Sequence, residues 1–354
     1  MRFVHDLVTP RAVFAAGAIA RVPDEVSRLG ATRVLLIADE HAAVPRERLE
    51  NALGARLADV IGEVVEHVPV EVARDAVRRA DACGADLAVS LGGGSATGLA
   101  KAVARERGLP IVAVATTYAG SEMTDIWGLT DGPRKTTGRD ERVRPRTAVY
   151  DPELTTSIPP ALTATSGMNA LAHCVEAAYA AGASPLVRLV AIEGVRALAA
   201  GLPRCVDAPG DLEARALTLY GAWLGGIALG NAAMGIHHRV CHVVGGAHRL
   251  PHGGLHSALL PYSTAFNRDA AGVAMSRLAR ALGADDAAGG LWDLAGRIGA
   301  PTSLASIGFP ASASAVVATA VAAAPPPNPR PVDEDGVLGL LGAALAGERP
   351  EPPS

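Results

Sequence analysis

Cysteine is scarce in this sequence, and the few cysteines show no paired motif. The four of them form no CxxC pair and no even, short-range framework: Cys83, Cys174, Cys205 and Cys241. A disulfide scaffold or a zinc ribbon is therefore not expected. This usage fits a reducing compartment, and we expect a cytoplasmic protein.

Long apolar runs and basic tracts are also missing. The stretch "MRFVHDLVTPR" has no apolar h-region, and no uncharged apolar run approaches the ~20 residues that span a bilayer. A net charge of −4 without basic tracts gives no electrostatic reason to expect a nucleic-acid partner. The 354 residues, 49% hydrophobic and 19% charged, predict a globular protein of two domains.

Short apolar runs alternate with helical stretches up to about residue 150. The runs are "RVLLIAD" (33–39), "DLAVSLGGG" (86–94), "PIVAVAT" (110–116) and "RTAVYD" (146–151). Between them, helix formers with amphipathic spacing predict helices at 45–57, 70–82 and 96–107. This pattern is typical of βα units around a buried parallel sheet.

After "YDPELTT" the strand signals stop, and long Ala/Leu-rich helical segments follow. We therefore predict an α/β domain over residues 1–153 and an all-α domain over 154–354. The segment "APPPNPRPVDEDG" (324–336) reads as a linker before one last helix, because its prolines cannot continue a helix.

A glycine-rich turn, "SLGGGSATGLAK", leads from an apolar strand into a helix. The backbone N–H groups of Gly93, Gly94 and Ser95 would converge at the helix N-terminus, where unpaired donors bind phosphate. Glycine also lets a pyrophosphate approach the backbone. The turn matches neither GxGxxG nor GxxxxGK[ST], so a tight turn without a ligand is the alternative.

Two further features favour a dinucleotide cofactor and a Rossmann-like domain. Asp39 ends an earlier strand, where a carboxylate accepts hydrogen bonds from ribose hydroxyls and repels a 2′-phosphate; its alternative role is an N-cap. This favours NADH, with NADPH as the alternative. The strand "PIVAVAT" (110–116) ends in, and is followed by, hydroxyl side chains at the position where ligands of open α/β sheets bind: Thr116, Thr117, Tyr118 and Ser121.

Residues 237–256, "HHRVCHVVGGAHRLPHGGLH", hold six of the ten histidines. His238 and His242 are four apart and share one face of a helix. Upstream, Asn169 and His173 have the same spacing in "SGMNALAHCVEA". Facing helices of a bundle could bring such pairs together in one site.

With His252 as a third imidazole, this group could bind zinc or ferrous iron. A catalytic divalent ion usually also takes a carboxylate, and the amide of Asn169 has no charge to offset an ion. The pattern therefore favours metal-free acid and hydrogen-bond chemistry.

From about residue 10 to residue 350, the chain resembles the iron-containing alcohol dehydrogenase superfamily and, within it, the maleylacetate reductase subgroup. "TYAGSEMT", "RKTTGRD" and "SGMNALAHCVEA" together are typical of that subgroup. The full set of motifs is "HVPVEV" (67–72), "GGGSATGLAKA" (92–102), "TTYAGSEMTDIWGLTDGPRKTTGRD" (116–140), "YDPELT" (150–155), "ATSGMNALAHCVEA" (164–177) and "GIHHRVCHVVGG" (235–246).

The resemblance implies an NADH-binding α/β domain, a helical catalytic domain and a homodimer. Metal-dependent relatives hold the ion with one Asp and three His, and the matching positions here are Asn169, His173, His238 and His252. His242 matches a histidine near the nicotinamide. Asn at the first position agrees with the reductase subgroup, so we expect no obligatory metal. No role is assigned to the remaining three histidines of the stretch: His237, His248 and His256.

The resemblance also implies NADH-dependent reduction of maleylacetate to 3-oxoadipate in the degradation of aromatic compounds. Hydride would add to the alkene carbon β to the ketone, and protonated His173, His238 and His242, with Asn169 as a neutral donor, would stabilise the enolate. Which histidine delivers the proton is left open. Cations are expected to bind the carboxylates of this small dicarboxylate substrate: Arg134, Lys135, Arg139, Arg239 and Arg249, with Lys135 also assigned to the cofactor.

Two departures from the family pattern leave other functions open. "MTDIWG" places Asp125 where the family has a proline, and "LPHGGLHS" places Gly254 and Leu255 where it has Glu and Thr. One alternative is a metal-dependent alcohol or polyol dehydrogenase of the same superfamily. Another is a member recruited to a biosynthetic pathway, or one that binds nucleotide without redox turnover.

Overall fold

The computed structural model describes residues 3, 5–38, 42–132, 134–248 and 250–352, with the side chain of Arg134 excepted. The chain divides into two compact units, Val8–Ser157 and Ile158–Ser354, and the described residues before Val8 group with the second. The division into functional domains at residues 153 and 154 stays a prediction.

The first unit is built on a six-stranded parallel sheet. Its strands are β1 (Arg11–Phe14), β2 (Val34–Ala38), β3 (Leu57–Ile61), β4 (Leu87–Gly92), β5 (Ile111–Ala115) and, after a hairpin of β6 (Ile126–Asp131) and β7 (Arg134–Arg139), β8 (Thr147–Tyr150). The order across the sheet is β1-β8-β5-β4-β2-β3. Its four α-helices are α1 (Val22–Arg28), α2 (Ala43–Leu53), α3 (Val70–Ala82) and α4 (Gly94–Arg107). The predicted α/β fold class is confirmed.

Helices cover both faces of this sheet, which explains why its central strands are apolar throughout. Along β2, Val34 and Leu36 pack with α1 and α2, whereas Leu35 and Ile37 pack with α3 and α4. A strand buried on both faces cannot alternate polar and apolar residues. The apolar runs that predicted β2, β4, β5 and β8 follow from this burial.

The prediction missed β1, β3 and the β6–β7 hairpin. The helix expected at 45–57 ends at Leu53, and Leu57 begins β3. β1 and β3 lie at the two edges of the sheet, where residues are partly exposed and the apolar signal is weak. β7 reads "RKTTGR", a polar sequence that is paired only with β6.

The second unit is helical, as expected. Its helices are α5 (Pro160–Tyr179), α6 (Pro185–Asp207), α7 (Leu212–Asn231), α8 (Ile236–His248), α9 (His252–Phe266), α10 (Gly272–Leu282), α11 (Ala287–Arg297), α12 (Ser314–Ala322) and α13 (Glu334–Ala346). No single helix among the described residues is long and apolar enough to cross a membrane; only α7 and α8 together reach that length, and they are bent by 92°.

Helices α5, α6 and α7 approach each other closely at glycines. A Cβ at Gly194 would lie 2.5 Å from Cys174 Sγ, and one at Gly201 would lie 2.4 Å from Thr218 Oγ1. Neither position leaves room for a larger residue unless the helices separate. Most of α5 is consequently buried, including its polar residues.

The proline-rich segment is not a free linker, which corrects the prediction for residues 324–336. Asn328 Oδ1 accepts a hydrogen bond from the backbone N–H of Ile236 at the start of α8, at 3.3 Å. Asn328 Nδ2 also donates to Asn267 Oδ1 at 2.6 Å. The segment is therefore tied to the beginning of α8, the helix that carries His237, His238 and His242.

Candidate active site

The glycine-rich turn joins β4 to α4, as predicted. Gly93 is the N-cap of α4, and no side chain caps that helix by a hydrogen bond. A Cβ at Gly93 would lie 3.0 Å from Thr117 Oγ1, so the turn and the loop after β5 are in contact. Two predicted cofactor loops thus meet at the carboxyl ends of neighbouring parallel strands. Cofactor binding stays a prediction for Gly93, Gly94, Ser95, Thr116 and Thr117.

A buried cation that the sequence analysis missed holds the loop after β5. Lys101 on α4 is fully buried, and its Nζ donates to the carbonyl oxygens of Ser121 at 2.7 Å and Ile126 at 2.8 Å. It also donates to Thr124 Oγ1 at 3.0 Å. Burial lowers the pKa of Lys101 to about 7, although nearby Glu122 acts in the opposite direction.

The other predicted cofactor residues have different surroundings. Tyr118 is fully buried, which favours a role in holding the loop over direct contact with a cofactor. Ser121 Oγ accepts a hydrogen bond from Lys101 Nζ at 3.2 Å. Lys135 is exposed on β7, paired with Thr130 of β6. Asp39 lies outside the described residues.

Two of the five cations proposed for the substrate carboxylates make other contacts in the structure. Arg139 donates to Asp125 at 2.8 Å, so the unusual aspartate in "MTDIWG" has a cationic partner in its own unit. Arg239 donates to the carbonyl of Ala320 at 3.2 Å. Carboxylate binding by Arg139 and Arg239 therefore loses support. Arg249 and the side chain of Arg134 lie outside the described part of the chain.

Three helices of the second unit bring the histidines together. α5 supplies Asn169 and His173, α8 supplies His238 and His242, and α9 supplies His252. The ring centroids of His173 and His238 are 5.2 Å apart and stacked, and those of His238 and His242 are 6.3 Å apart. The ring centroid of His252 lies 4.5 Å from that of His256, which in turn lies 5.0 Å from that of His238. We call these residues, with His237 and His256, the histidine cluster.

Glu176 organises one side of the histidine cluster and was not predicted. Its carboxylate is fully buried and lies 2.6 Å from His238 Nδ1. It also accepts hydrogen bonds from the backbone N–H groups of Gly235 at 3.0 Å and His237 at 2.9 Å. The carboxylate therefore holds the start of α8 and orients the His238 ring. A carboxylate near a helix N-terminus is also favoured by the helix dipole.

His237 and His256, which had no assigned role, are part of the cluster. His237 Nε2 lies 2.8 Å from His256 Nδ1, and His237 Nδ1 lies 3.0 Å from Ser263 Oγ. Both rings are buried. His248 is different, because its ring contacts Phe309 with centroids 5.3 Å apart.

Burial keeps several of these rings neutral. It lowers the pKa of His173, His237 and His256 well below the ordinary value, and neighbouring histidines lower it further. This direction disfavours His173 as a protonated donor, and its catalytic role stays a prediction. A neutral imidazole still offers one N–H group and one lone pair.

Polar atoms of the cluster are buried without a hydrogen-bond partner among the described residues. They are Asn169 Oδ1, His173 Nδ1, His238 Nε2 and His256 Nε2. Buried polar atoms are normally paired, so an unpaired group of this kind is typical of a site that completes its hydrogen bonds with a ligand.

The donor set fits a divalent ion poorly. The family metal positions offer one neutral amide and three imidazoles with no carboxylate, and two of those rings are stacked. Within the described residues, only His237, Cys241 and His256 bring three ligand atoms within 4.8 Å of one another. There the imidazoles contact each other, and burial raises the pKa of the Cys241 thiol, so a thiolate ligand is disfavoured.

The whole chain is similar to known proteins. Residues 9–152 match the family described as iron-containing alcohol dehydrogenase, and residues 163–345 match the C-terminal part of the Fe-containing alcohol dehydrogenase family. The chain therefore belongs to the iron-containing alcohol dehydrogenase family and is an oxidoreductase of that family.

Individual relatives narrow this class. The chain is 47% identical to the maleylacetate reductase of Burkholderia cepacia, in an alignment that covers 98% of this chain and 99% of that protein. It is 44% identical to the maleylacetate reductase of Sphingobium indicum, with 99% of each chain covered. This chain is also similar to the crystal structure of maleylacetate reductase from Agrobacterium tumefaciens, with a TM-score of 0.95 and 42% sequence identity. The superposition covers 99% of this chain and 100% of that one. The resemblance predicted from the motifs is confirmed.

Proposed function

We propose that this chain reduces maleylacetate to 3-oxoadipate with NADH and needs no metal ion. The observation that carries the proposal is the full-length similarity to maleylacetate reductases, at 47% identity for one of them. The histidine cluster supports the same reaction, because it can provide a directed proton donor inside a buried site. A small dicarboxylate is the substrate class, and a role in aromatic degradation and a homodimeric state stay predictions.

Bound NADH would supply a hydride to the alkene carbon β to the ketone, and the ketone oxygen would then carry a developing negative charge that residues of this chain stabilise. We assign the donor for this oxygen to the Nε2–H group of His238, whose Nδ1–H group donates to the Glu176 carboxylate at 2.6 Å. Glu176 is the carboxylate in contact with that ring, so it compensates the charge of an imidazolium. A well-aimed donor in a dry site is worth ~3 kcal/mol to an oxyanion.

The other cluster residues shape the site around His238. His173 and His256 are held neutral by burial, which leaves His238 as the ring with a buried counter-charge. Asn169 offers its neutral amide, and His242 and His252 border the same group of rings. The proton needed by the substrate is therefore assigned to one histidine instead of being shared by three.

The choice of NADH rests on the α/β unit. The N-terminus of α4 lacks a side-chain cap, and Gly93 lets Thr117 approach the backbone, so N–H donors and hydroxyls are available for the pyrophosphate. The preference for NADH over NADPH rests on Asp39 and stays part of the proposal. NAD(H) supplies the hydride; the residues described here bind it and exclude water.

The test is NADH oxidation by the purified enzyme on addition of maleylacetate, with 3-oxoadipate identified as the product. Metal content is measured in the same preparation, and activity is compared before and after chelation. We expect turnover that chelators do not change. A requirement for stoichiometric zinc or iron would instead support the metal-dependent alternative, and NADH binding without oxidation would contradict the reductase function.

A further inference from the structure

We infer that Ser263 and His237 act together as positioning residues that fix His256 in a single tautomer, with a bare Nε2 facing the histidine cluster. The hydrogen-bond directions in this chain of side chains follow from the fixed acceptor at Leu260 and from the one N–H group and one lone pair that a buried, neutral imidazole offers. Only the consequence for catalysis rests on the proposed function.

The first step is the direction of the Ser263 hydroxyl. Ser263 Oγ lies 3.0 Å from the carbonyl oxygen of Leu260, one turn earlier on α9. A carbonyl only accepts, so the hydroxyl proton points to Leu260. Ser263 Oγ must then accept at its other contact, which is His237 Nδ1 at 3.0 Å. His237 therefore carries its proton on Nδ1.

The second step derives the tautomer of His256 from that of His237. A neutral imidazole has one N–H group, so a proton on Nδ1 leaves His237 Nε2 as a lone pair. That atom lies 2.8 Å from His256 Nδ1, which must then donate. His256 consequently carries its proton on Nδ1 and has no proton on Nε2. Both rings are at most 1% exposed, so water does not offer an alternative partner.

The third step concerns what the bare nitrogen can accept. His256 Nε2 is buried with no hydrogen-bond partner in the described part of the chain, and its ring centroid is 5.0 Å from that of His238. A lone pair accepts from an O–H group and repels an anionic oxygen. Substrate carboxylates are therefore kept away from this point, and the group that fits is a hydroxyl.

The proposed reaction produces such a hydroxyl. When the enolate oxygen takes the proton from His238 Nε2, an O–H bond forms, the N–H bond breaks and His238 becomes neutral beside Glu176. The enol hydroxyl can then donate to His256 Nε2. Ser263 and His237 would thus set the orientation of the enol without touching it.

Nitrogen-15 NMR of the protein labelled at histidine tests the tautomer directly, and a His256→Asn variant assigns the signal. We expect His256 to show a protonated Nδ1 and a bare Nε2 in the wild type and in Ser263→Thr, which keeps the hydroxyl. Ser263→Ala should abolish this single tautomer. A proton on Nε2 in the wild type, or an unchanged tautomer in Ser263→Ala, would overturn the inference.

Kinetics test the consequence. We expect Ser263→Ala to lower kcat for maleylacetate reduction roughly tenfold, about the effect of one lost hydrogen bond to the enol, without changing the KM for NADH. The matched control is Ser257→Ala, because Ser257 is also buried on α9 and donates to the carbonyl of Pro301 at 2.8 Å. An equal change in both variants would indicate a merely structural role and contradict the inference. If maleylacetate is not a substrate, the NMR result still decides the tautomer.

Discussion

In each unit a buried charged residue, Lys101 or Glu176, organises a predicted functional segment, and the two residues are held in opposite ways. In the α/β unit, Lys101 donates to backbone carbonyls and a hydroxyl of the loop after β5. In the helical unit, Glu176 accepts from backbone N–H groups at the start of α8 and contacts His238. The cation anchors a loop that ends a strand, whereas the anion anchors the beginning of a helix.

The difference follows from the groups that each backbone segment leaves unpaired. A helix start exposes N–H donors, which an anion satisfies, and an irregular loop exposes carbonyls, which an ammonium group satisfies. Glu176 also contacts a titratable ring, so its charge enters the proposed chemistry. Lys101 contacts neutral oxygens and has its effect through the loop alone.

The largest effect is expected from Glu176→Gln. The amide keeps the shape of the side chain but removes the negative charge beside His238 and replaces one acceptor by a donor. We expect kcat to fall about 100-fold, as for loss of a general acid, and the free energy of unfolding to fall by about 1–3 kcal/mol. Steady-state kinetics and urea unfolding measure the two effects.

Glu193→Gln is the matched control, because Glu193 forms a partly exposed pair with Arg196 at 2.6 Å on α6. That change should leave kcat unaltered. A Glu176→Gln enzyme with wild-type kcat would show that the proton does not come from the Glu176–His238 pair.

Lys101→Met should mainly affect cofactor binding. It leaves the carbonyls of Ser121 and Ile126 without their donor, so we expect a loss of about 1–3 kcal/mol in unfolding free energy. The loosened loop should raise the KM for NADH about tenfold while kcat changes less. An unchanged KM for NADH would separate this loop from the cofactor. Arg78, which is exposed and pairs with Asp75, provides a surface control as Arg78→Met.

Acid should affect the helical unit before the α/β unit. The folded-state pKa values of His173, His237 and His256 lie below the ordinary 6.5, so below about pH 6.5 the unfolded chain binds protons that the folded chain does not. Unfolding free energy then falls as pH falls, by up to about 1.4 kcal/mol per pH unit for each histidine.

In the α/β unit, burial lowers the pKa of one described histidine, His67, against three in the helical unit. Arg and backbone partners lower the pKa of Asp59 and Asp86, so their contribution is lost only as pH falls below about 4. Trp127 lies in that unit, whereas Trp223 and Trp292 lie in the helical unit. Single-tryptophan variants followed by fluorescence should show the helical unit losing stability at the higher pH. The reverse order would contradict the neutral state of the buried histidines.

The smallest effect is expected from Gly93→Ala. The added Cβ would lie 3.0 Å from Thr117 Oγ1, a distance that a small shift of the threonine relieves. We expect a several-fold higher KM for NADH and a change in unfolding free energy of less than about 1 kcal/mol. Gly296→Ala is the control, because no heavy atom lies within 4 Å of its added Cβ. Equal KM values for both variants would argue against pyrophosphate binding at the turn.

Much of the fold was predictable because burial on both faces makes the central strands continuously apolar. The edge strand β1 and the polar hairpin strand β7 lack that signal and were missed. In the site, spacing identified Asn169 with His173 and His238 with His242. His252 and His256 have the same spacing, and Glu176 follows His173 by three residues. Helical spacing therefore also indicated that His256 and Glu176 lie on the helix faces that carry the site.

The sequence by itself determined which residues share a helix face and where strands end in glycine or hydroxyl residues, because both depend on local periodicity. Only the tertiary structure decided that Glu176 meets His238, 62 positions away, and that His237 meets His256 across two helices. It also decided which rings are buried and therefore have a lowered pKa, since the cost of a buried charge depends on the surrounding atoms and not on spacing along the chain. The histidine-rich stretch thereby divides into His238, which contacts the Glu176 carboxylate, and the buried His237 and His256, whose pKa values burial lowers.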